Sequence, residues 1–316
     1  MLNYLVKRLI GLIPVLFGVS FLVFLMVQLA PGDVTTLLLG PLASEEAKAT
    51  LRQALGLDLP IVVQYIKWLN ALLHGDFGTS IATSRSVLEL VLPRIGNTLI
   101  LGGASLVITV VVGFAVGLAA AANRGSLFDG LSVSTVLVIG NIPPFWLGLV
   151  LSLLFALQFR WFPISGMTSL DNGGGFSDVV WHLVLPAVTT AAAPAAVVTR
   201  MVRAAVLEVL RQDYIQVARA RGVPERTIVL KHALRNALPP ITTIVGLQLG
   251  YLLGGTLFSE VVFAWPGLGQ LLYTSIVARD LPVIQAAVLA IALSFVLINL
   301  AADLTNQMLD PRSRHG

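Results

Sequence analysis

Six stretches of the chain contain no Asp, Glu, Lys or Arg: Leu9–Ala30, Ile95–Asn123, Gly130–Phe159, Val179–Thr199, Asn236–Ser259 and Leu281–Ala302. Each exceeds the roughly 20 residues that carry an α-helix across the hydrocarbon core of a bilayer. Only 11% of the 316 residues are charged and 56% are hydrophobic, against roughly 25% charged in an ordinary soluble domain. A soluble fold is excluded. The uncharged run from Trp161 to Leu170 is too short to span, and residues 31–94 are broken by charges throughout. The expected fold is therefore an all-α polytopic membrane protein with six transmembrane helices. The first stretch follows Lys7 and Arg8 as a signal peptide would, but its 22 uncharged residues exceed the 7 to 15 typical of a signal sequence, so a retained anchor is predicted.

With the N-terminus in the cytoplasm, the inner segments hold Lys7, Arg8, Arg124, the eight basic residues from Arg200 to Arg235, Arg312 and Arg314. The short outer loops hold only Arg160 and Arg279. This bias predicts both termini inside, and an even number of spans agrees. The net charge of +4 is thus a topology signal rather than a nucleic-acid footprint. The predicted organisation is an N-terminal segment and first span (1–30), an extracytoplasmic helical segment (31–94), a five-helix core (95–309) containing a cytoplasmic loop (200–238), and a short cytoplasmic tail (310–316).

Within the outer segment, Ser44 is placed to cap a helix that opens with Glu45 and Glu46 and stops at Gly56. Pro60 opens a second helix, in which Val62, Ile66, Leu69 and Leu73 recur at helical spacing. In the fifth span Gly246, Gly250 and Gly254 are four apart, and in the second so are Gly113 and Gly117. Such bare faces serve either close helix packing or a pore wall. Pro143 and Pro144 lack backbone donors and predict a kink or break near the middle of the third span.

Catalytic signatures are missing. No Lys follows a Gly, so there is no phosphate-cradling loop, and neither H-E-x-x-H nor G-x-S-x-G occurs. There is no cysteine, and His74, His182, His232 and His315 lie far apart in sequence. No span carries an ionisable acid or base near its centre, where proton-driven carriers usually place one. A transporter built this way takes its energy from another polypeptide; the alternatives are a passive channel or a scaffold. The polar residues available to a passage are Asn141, Gln248, Ser259 and Glu260, although helix-to-helix hydrogen bonds account for the polar amides equally well.

The inner loop is where energy would enter. Gln212 to Arg221 reads as a short amphipathic helix, with Tyr214, Val217, Ala218 and Arg221 at i, i+3, i+4 and i+7. Gly222 breaks it, Pro224 suits the first position of a new helix, and Ile228, Val229, Ala233 and Leu234 give that helix an apolar stripe. This helix–turn–helix is either a lever for a soluble partner or a basic element lying on anionic lipid.

The run Asp213-Tyr214-Ile215-Gln216-Val217-Ala218-Arg219-Ala220-Arg221-Gly222, with His232-Ala233-Leu234-Arg235-Asn236-Ala237-Leu238-Pro239 after it, resembles the coupling loop of ABC-importer permeases of the dipeptide and oligopeptide branch. The family's general form opens Glu-Ala-Ala, where this chain has Gln216-Val217-Ala218, so no role of that glutamate carries over. Further tags in order are Leu29–Asp33 (with Val34 in place of a proline), Gly56-Leu57-Asp58 with Pro60, Gln64 and Tyr65, Gly75–Ser80, Pro144–Gly148, Leu185-Pro186-Ala187, Glu260 with Phe263–Gly267 and Gly269, and Asp310-Pro311-Arg312.

The resemblance implies an importer with two permeases, favouring a heterodimer with a related chain, two cytoplasmic ATPases that hold ATP and Mg²⁺, and an extracytoplasmic substrate-binding protein. Residues Asp213 to Gly222 would couple to the ATPases, and the chain itself would hold no cofactor or metal. Peptide is the largest substrate group of such permeases, with nickel chelates, glutathione and haem as alternatives. A membrane enzyme is disfavoured because no nucleophiles or metal ligands cluster.

Overall fold

The computed structural model describes residues 2–29, 34–40, 42–54, 56–169 and 174–309. Residues 30–33 of the first-span exit motif, the tail 310–316 and the Asp310-Pro311-Arg312 motif lie outside the described residues. The described residues form helices joined by turns: α1 (Leu2–Leu29), α2 (Val34–Leu39), α3 (Glu45–Ala54), α4 (Ile61–Leu73), α5 (Val87–Ala122), α6 (Leu127–Gly140), α7 (Pro144–Leu151), α8 (Phe176–Leu210), α9 (Asp213–Ala220), α10 (Glu225–Thr227), α11 (Leu234–Val262), α12 (Leu268–Ala278) and α13 (Leu281–Leu309). Two wide π-turns, Ser152–Gln158 and Ile228–Ala233, continue α7 and precede α11. Among the described residues, four helices are long and apolar enough to cross a membrane, and six spans result if each of two bent pairs counts as one.

One bent pair is the predicted break. Leu127–Gly140 and Pro144–Gln158 meet at 104°, because Pro143 and Pro144 supply no N–H to the preceding turn. Pro144 instead starts α7 at the position where its missing donor costs nothing. The fourth helix exceeds its uncharged stretch and runs on to Leu210. The expected cytoplasmic loop 200–238 therefore begins as a continuation of a span. At its far end the second loop helix is no separate element, since α10 and the π-turn lead directly into α11.

The chain divides into two compact units, Met1–Gly96 with Leu271–Val296, and Asn97–Gln270 with Leu297–Gly316. In the first unit, Ser44 Oγ accepts from Ala47 N (3.2 Å) at the start of α3, and Gly56 ends that turn at φ +67°. Helix α4 begins directly after Pro60. It meets α1 through Tyr65 and Trp68, which ring Phe21 and Phe24, and through a Ser20–Tyr65 hydroxyl contact of 2.8 Å. Val62, Ile66 and Leu73, the spacing read from sequence, face outward. In the same unit, buried Asp280 accepts from Ser80 Oγ and from the N–H groups of Ile81 (3.1 Å) and Ala82 (3.3 Å), pinning the turn that precedes α5.

The second unit is organised around α8, which packs against α6, α7 and α11. Seventeen of its residues are buried, from His182 to Leu210. Small side chains (Ala187, Ala191, Ala195, Ala196) let neighbours approach in the N-terminal part of the helix, and Val198, Val202, Val206 and Val209 form a core further along it.

Candidate functional site

The loop after α8 is built on one buried anchor. Ile215 is 0% exposed and joins a core with Val202, Val206 and Leu210 of α8, Ile228 and Val229 of the π-turn, and Ala237 and Ile241 of α11, with Ala218 packed at its edge. The stripe read from sequence, Tyr214–Val217–Ala218–Arg221, is thus displaced by one residue. Tyr214 (43%) and Val217 (51%) are exposed, as are Asp213, Gln216, Arg219, Ala220 and Arg221. Eight residues give a short helix only one anchoring position plus its i+3 neighbour. Ile215 takes that place because α8 and the π-turn close over its side, and Tyr214 and Val217 are left outward.

The helix is closed at both ends. Asp213 in its first turn and Arg219 in its last match the helix dipole. At the far end Gly222 stands at φ +76°, its N–H donates to Arg219 O (2.9 Å), and Val223 N donates to Ala218 O (3.2 Å). This pair of bonds requires a left-handed residue after the cap. Arg219 donates two hydrogen bonds to Glu225 (3.0 and 2.6 Å), which hold the Glu225 carboxyl below the usual carboxylate range. Asn236 Nδ2 donates to Tyr214 Oη (2.8 Å), tying the helix to the base of α11. Pro224 occupies the residue before α10 rather than its first position.

Of the four polar residues assigned to a passage, the structure brings two together. Asn141 and Gln248 line one cavity of about 290 Å³ with Arg200 and Tyr251, beside Leu137, Gly140, Ala193, Ala196 and Val197. A Cβ on Gly140 would overlap Ala196 and come within 3.1 Å of Ala192 O, so the glycine lets α6 lie against α8 at the cavity's edge. The other two are elsewhere. Ser259 is fully buried and accepts from Thr190 Oγ1 (2.7 Å). Glu260, also 0% exposed, accepts from Thr98 Oγ1 (2.7 Å), Gly269 N (2.6 Å) and Gln270 N (3.2 Å). Its carboxyl thus closes the start of α12, while Trp265 Nε1 donates to Asn97 O and Asn97 Nδ2 to Pro266 O. A Cβ at Gly267 would land on that carboxyl. In this structure these contacts make Ser259 and Glu260 buried internal fastenings.

The glycine faces also differ. A Cβ on Gly113 would lie 2.5 Å from Val198 Cγ1, and one on Gly117 2.8 Å from Thr199 O, so α5 and α8 touch backbone to backbone there. Gly246 and Gly250 are buried, and Gly246 lines an apolar cavity of about 600 Å³ with Leu99, Phe114 and Ile298. Gly254 is exposed, with nothing within 4 Å of a Cβ built on it. Among the described residues, no three His, Asp or Glu side chains converge as metal ligands.

Residues 1–102 match the N-terminal model of binding-protein-dependent transport system membrane components, and residues 113–315 match the model of the binding-protein-dependent transport system inner membrane component. The chain belongs to this family. Relatives named glutathione transport system permease protein GsiC, from Salmonella typhimurium and from Escherichia coli strain K12, are 44% identical over the full length of both chains. Two inward-facing structures of the MetNI methionine ABC transporter share the fold, with TM-scores of 0.58 at 21% and 22% identity, covering 71% of this chain and 97% of theirs. As a binding-protein-dependent permease, the chain is an ABC-importer subunit of the inner membrane, a transport component rather than an enzyme.

Sequence reasoning missed Arg200 and Tyr251 as neighbours of Asn141 and Gln248 in one cavity. Arg200 stands at the head of the basic loop in sequence, and the 104° bend that brings Asn141 beside α8 and α11 has no local signature beyond the two prolines.

Proposed function

We propose that this chain forms half of the translocation path for short peptides, with glutathione-like tripeptides first among them. It pairs with a related permease as a heterodimer and keeps both termini in the cytoplasm. A substrate-binding protein delivers cargo to the extracytoplasmic segment, and two ATPases carrying ATP and Mg²⁺ engage residues Asp213 to Gly222. The carrying observation is the construction of α9: anchored by Ile215 in a core shared with α8 and α11, yet leaving Tyr214 and Val217 uncovered amid polar side chains. A force on that face is transmitted to two spans at once, because they share the core in which the helix is seated. The substrate class is supported by the full-length similarity to permeases named for glutathione.

The test is ATP-dependent uptake of labelled glutathione and labelled dipeptides by vesicles containing the whole complex and its binding protein. The reading expects uptake that requires ATP and the binding protein, with one short peptide preferred. Uptake without ATP would favour a channel, and preference for a nickel chelate or haem would replace the peptide assignment.

A further inference from the structure

The cavity that joins α6, α8 and α11 contains a guanidinium with no counter-ion. Arg200 is the first charged residue after the fourth uncharged stretch, whereas Asn141 and Gln248 stand near the middle of the third and fifth. Arg200 makes no hydrogen bond or ion pair among the described residues, and neither do Gln248 and Tyr251 through their side chains. Asn141 uses its Nδ2 on Leu137 O (2.7 Å), which leaves its Oδ1 available as an acceptor. No acidic side chain lines the cavity.

The neighbouring arginine behaves differently. One turn further along α8, Arg203 forks onto Asp129 with two bonds of 2.7 Å, and Gly125 N adds a third bond to the same carboxylate at 3.0 Å. Asp129 is thereby committed to Arg203. A guanidinium at the edge of a membrane span is ordinarily paired or faces a water-accessible cavity; Arg200 is exposed and lines the cavity without a pairing carboxylate.

We propose that this cavity is a substrate-binding site for a carboxylate-bearing short peptide, with Arg200 as the residue that holds the carboxylate. The planar fork of an arginine matches a carboxylate with two parallel bonds. Asn141 Oδ1 and the Gln248 amide offer an acceptor and both kinds of partner to peptide N–H and C=O groups, and the exposed Tyr251 ring offers an apolar face with a polar tip. The volume, about 290 Å³, lies just under the roughly 300–1,000 Å³ of small-ligand sites, a size for a di- or tripeptide rather than a longer chain. The inference rests on the importer reading and adds the chemistry of selection inside the membrane.

The experiment uses the complete complex in nanodiscs, free of nucleotide and binding protein, with glutathione and its diamide, in which both carboxyls are amides, as probes. Equilibrium binding is measured for wild type, R200Q, R200K and Q248A, each first shown to assemble by size-exclusion chromatography. Wild type is expected to bind glutathione saturably and the diamide at least tenfold more weakly. R200Q is expected to lose at least tenfold for glutathione and to leave the diamide unchanged, R200K to fall between, and Q248A to weaken both probes. If R200Q fails to assemble, R200K carries the same comparison.

Equal binding by wild type and the Arg200 variants, parallel losses for both probes in the Arg200 variants, or no binding to wild type would overturn the proposal. Occupancy that follows the phosphatidylglycerol content of the disc and ignores glutathione would assign Arg200 to lipid headgroups and overturn it as well. Uptake by complexes supplied with binding protein separates the two levels. ATP-driven wild-type uptake with unchanged R200Q uptake sinks this site alone, and absence of any ATP-driven peptide uptake by wild type sinks the importer reading.

Discussion

Replacing Glu260 with Gln keeps the volume of the side chain and changes only what its two terminal atoms can do. In the structure both oxygens accept: one from Thr98 Oγ1, the other from Gly269 N and Gln270 N. The Thr98 hydroxyl also accepts from Leu268 N (2.8 Å), so its single hydrogen points at Glu260. In E260Q the new NH₂ group cannot face the two backbone donors without a donor-to-donor clash. It must turn to Thr98, which strips the Thr98 hydrogen of its acceptor. An orphaned buried donor costs about 1–3 kcal/mol, and hydrogen bonds fall from about 1.5–3 to about 0.5–1.5 kcal/mol when the charge is removed. After partial relaxation the sum is roughly 2–4 kcal/mol, a factor of roughly 30 to 700 in a local opening equilibrium.

The readout is amide hydrogen exchange over residues 264–272 in the assembled complex, where exchange reports the free energy of local opening. Faster exchange of Gly269 and Gln270 by that factor is expected in E260Q and T98V. T98S, which keeps the hydroxyl, should stay close to wild type. Unchanged exchange in E260Q would refute the reasoning, because the buried carboxyl would then not be what fastens the start of α12.

Three other perturbations probe other levels of the account. Gly117→Leu forces a side chain into the backbone of α8, and overpacking of this kind costs about 1–3 kcal/mol; thermal unfolding of the complex in detergent should shift down by several degrees, and an unchanged midpoint would contradict the close approach at Thr199 O. Asp129→Asn leaves Arg203 without its charged partner at a position where Asp129 is buried and Arg203 is about one-third exposed; a loss of about 1–3 kcal/mol is expected, below the 3–5 of a fully buried pair, read from the same melting curves. Ala218→Asp places a charge at the edge of the Ile215 core, and Gly222→Val imposes a branched side chain on a φ of +76°; both should uncouple ATP hydrolysis from transport in reconstituted vesicles, and wild-type coupling in both would remove the assignment of α9 as the coupling element.

The parts legible in the sequence were those set by composition and by backbone chemistry. Long charge-free stretches became long helices, Pro143 and Pro144 became a 104° break, and Gly222 ended α9 at a positive φ. Ser44 and Pro60 marked helix starts because capping and the missing proline donor act within one turn. What sequence could not show was decided by contacts distant along the chain. Ile215 rather than the Tyr214 stripe is buried because α8 and the π-turn close over that side. Glu260 lies at a span end like a wall residue, yet Thr98, 162 positions earlier, holds it in the core. The π-turns carry no residue signature, so the merging of the second loop helix with α11 was visible only in three dimensions.

The central claim is that this chain is a non-catalytic half of the translocation path, driven through α9 by partner ATPases. Purification of the chain from its native membrane in mild detergent, followed by identification of the co-purifying subunits and an ATPase assay on the complex, tests it most directly. The account predicts a related permease and ATPase subunits in the complex, with hydrolysis that rises when loaded binding protein is added. A chain that purifies alone, with no ATPase activity, would contradict it.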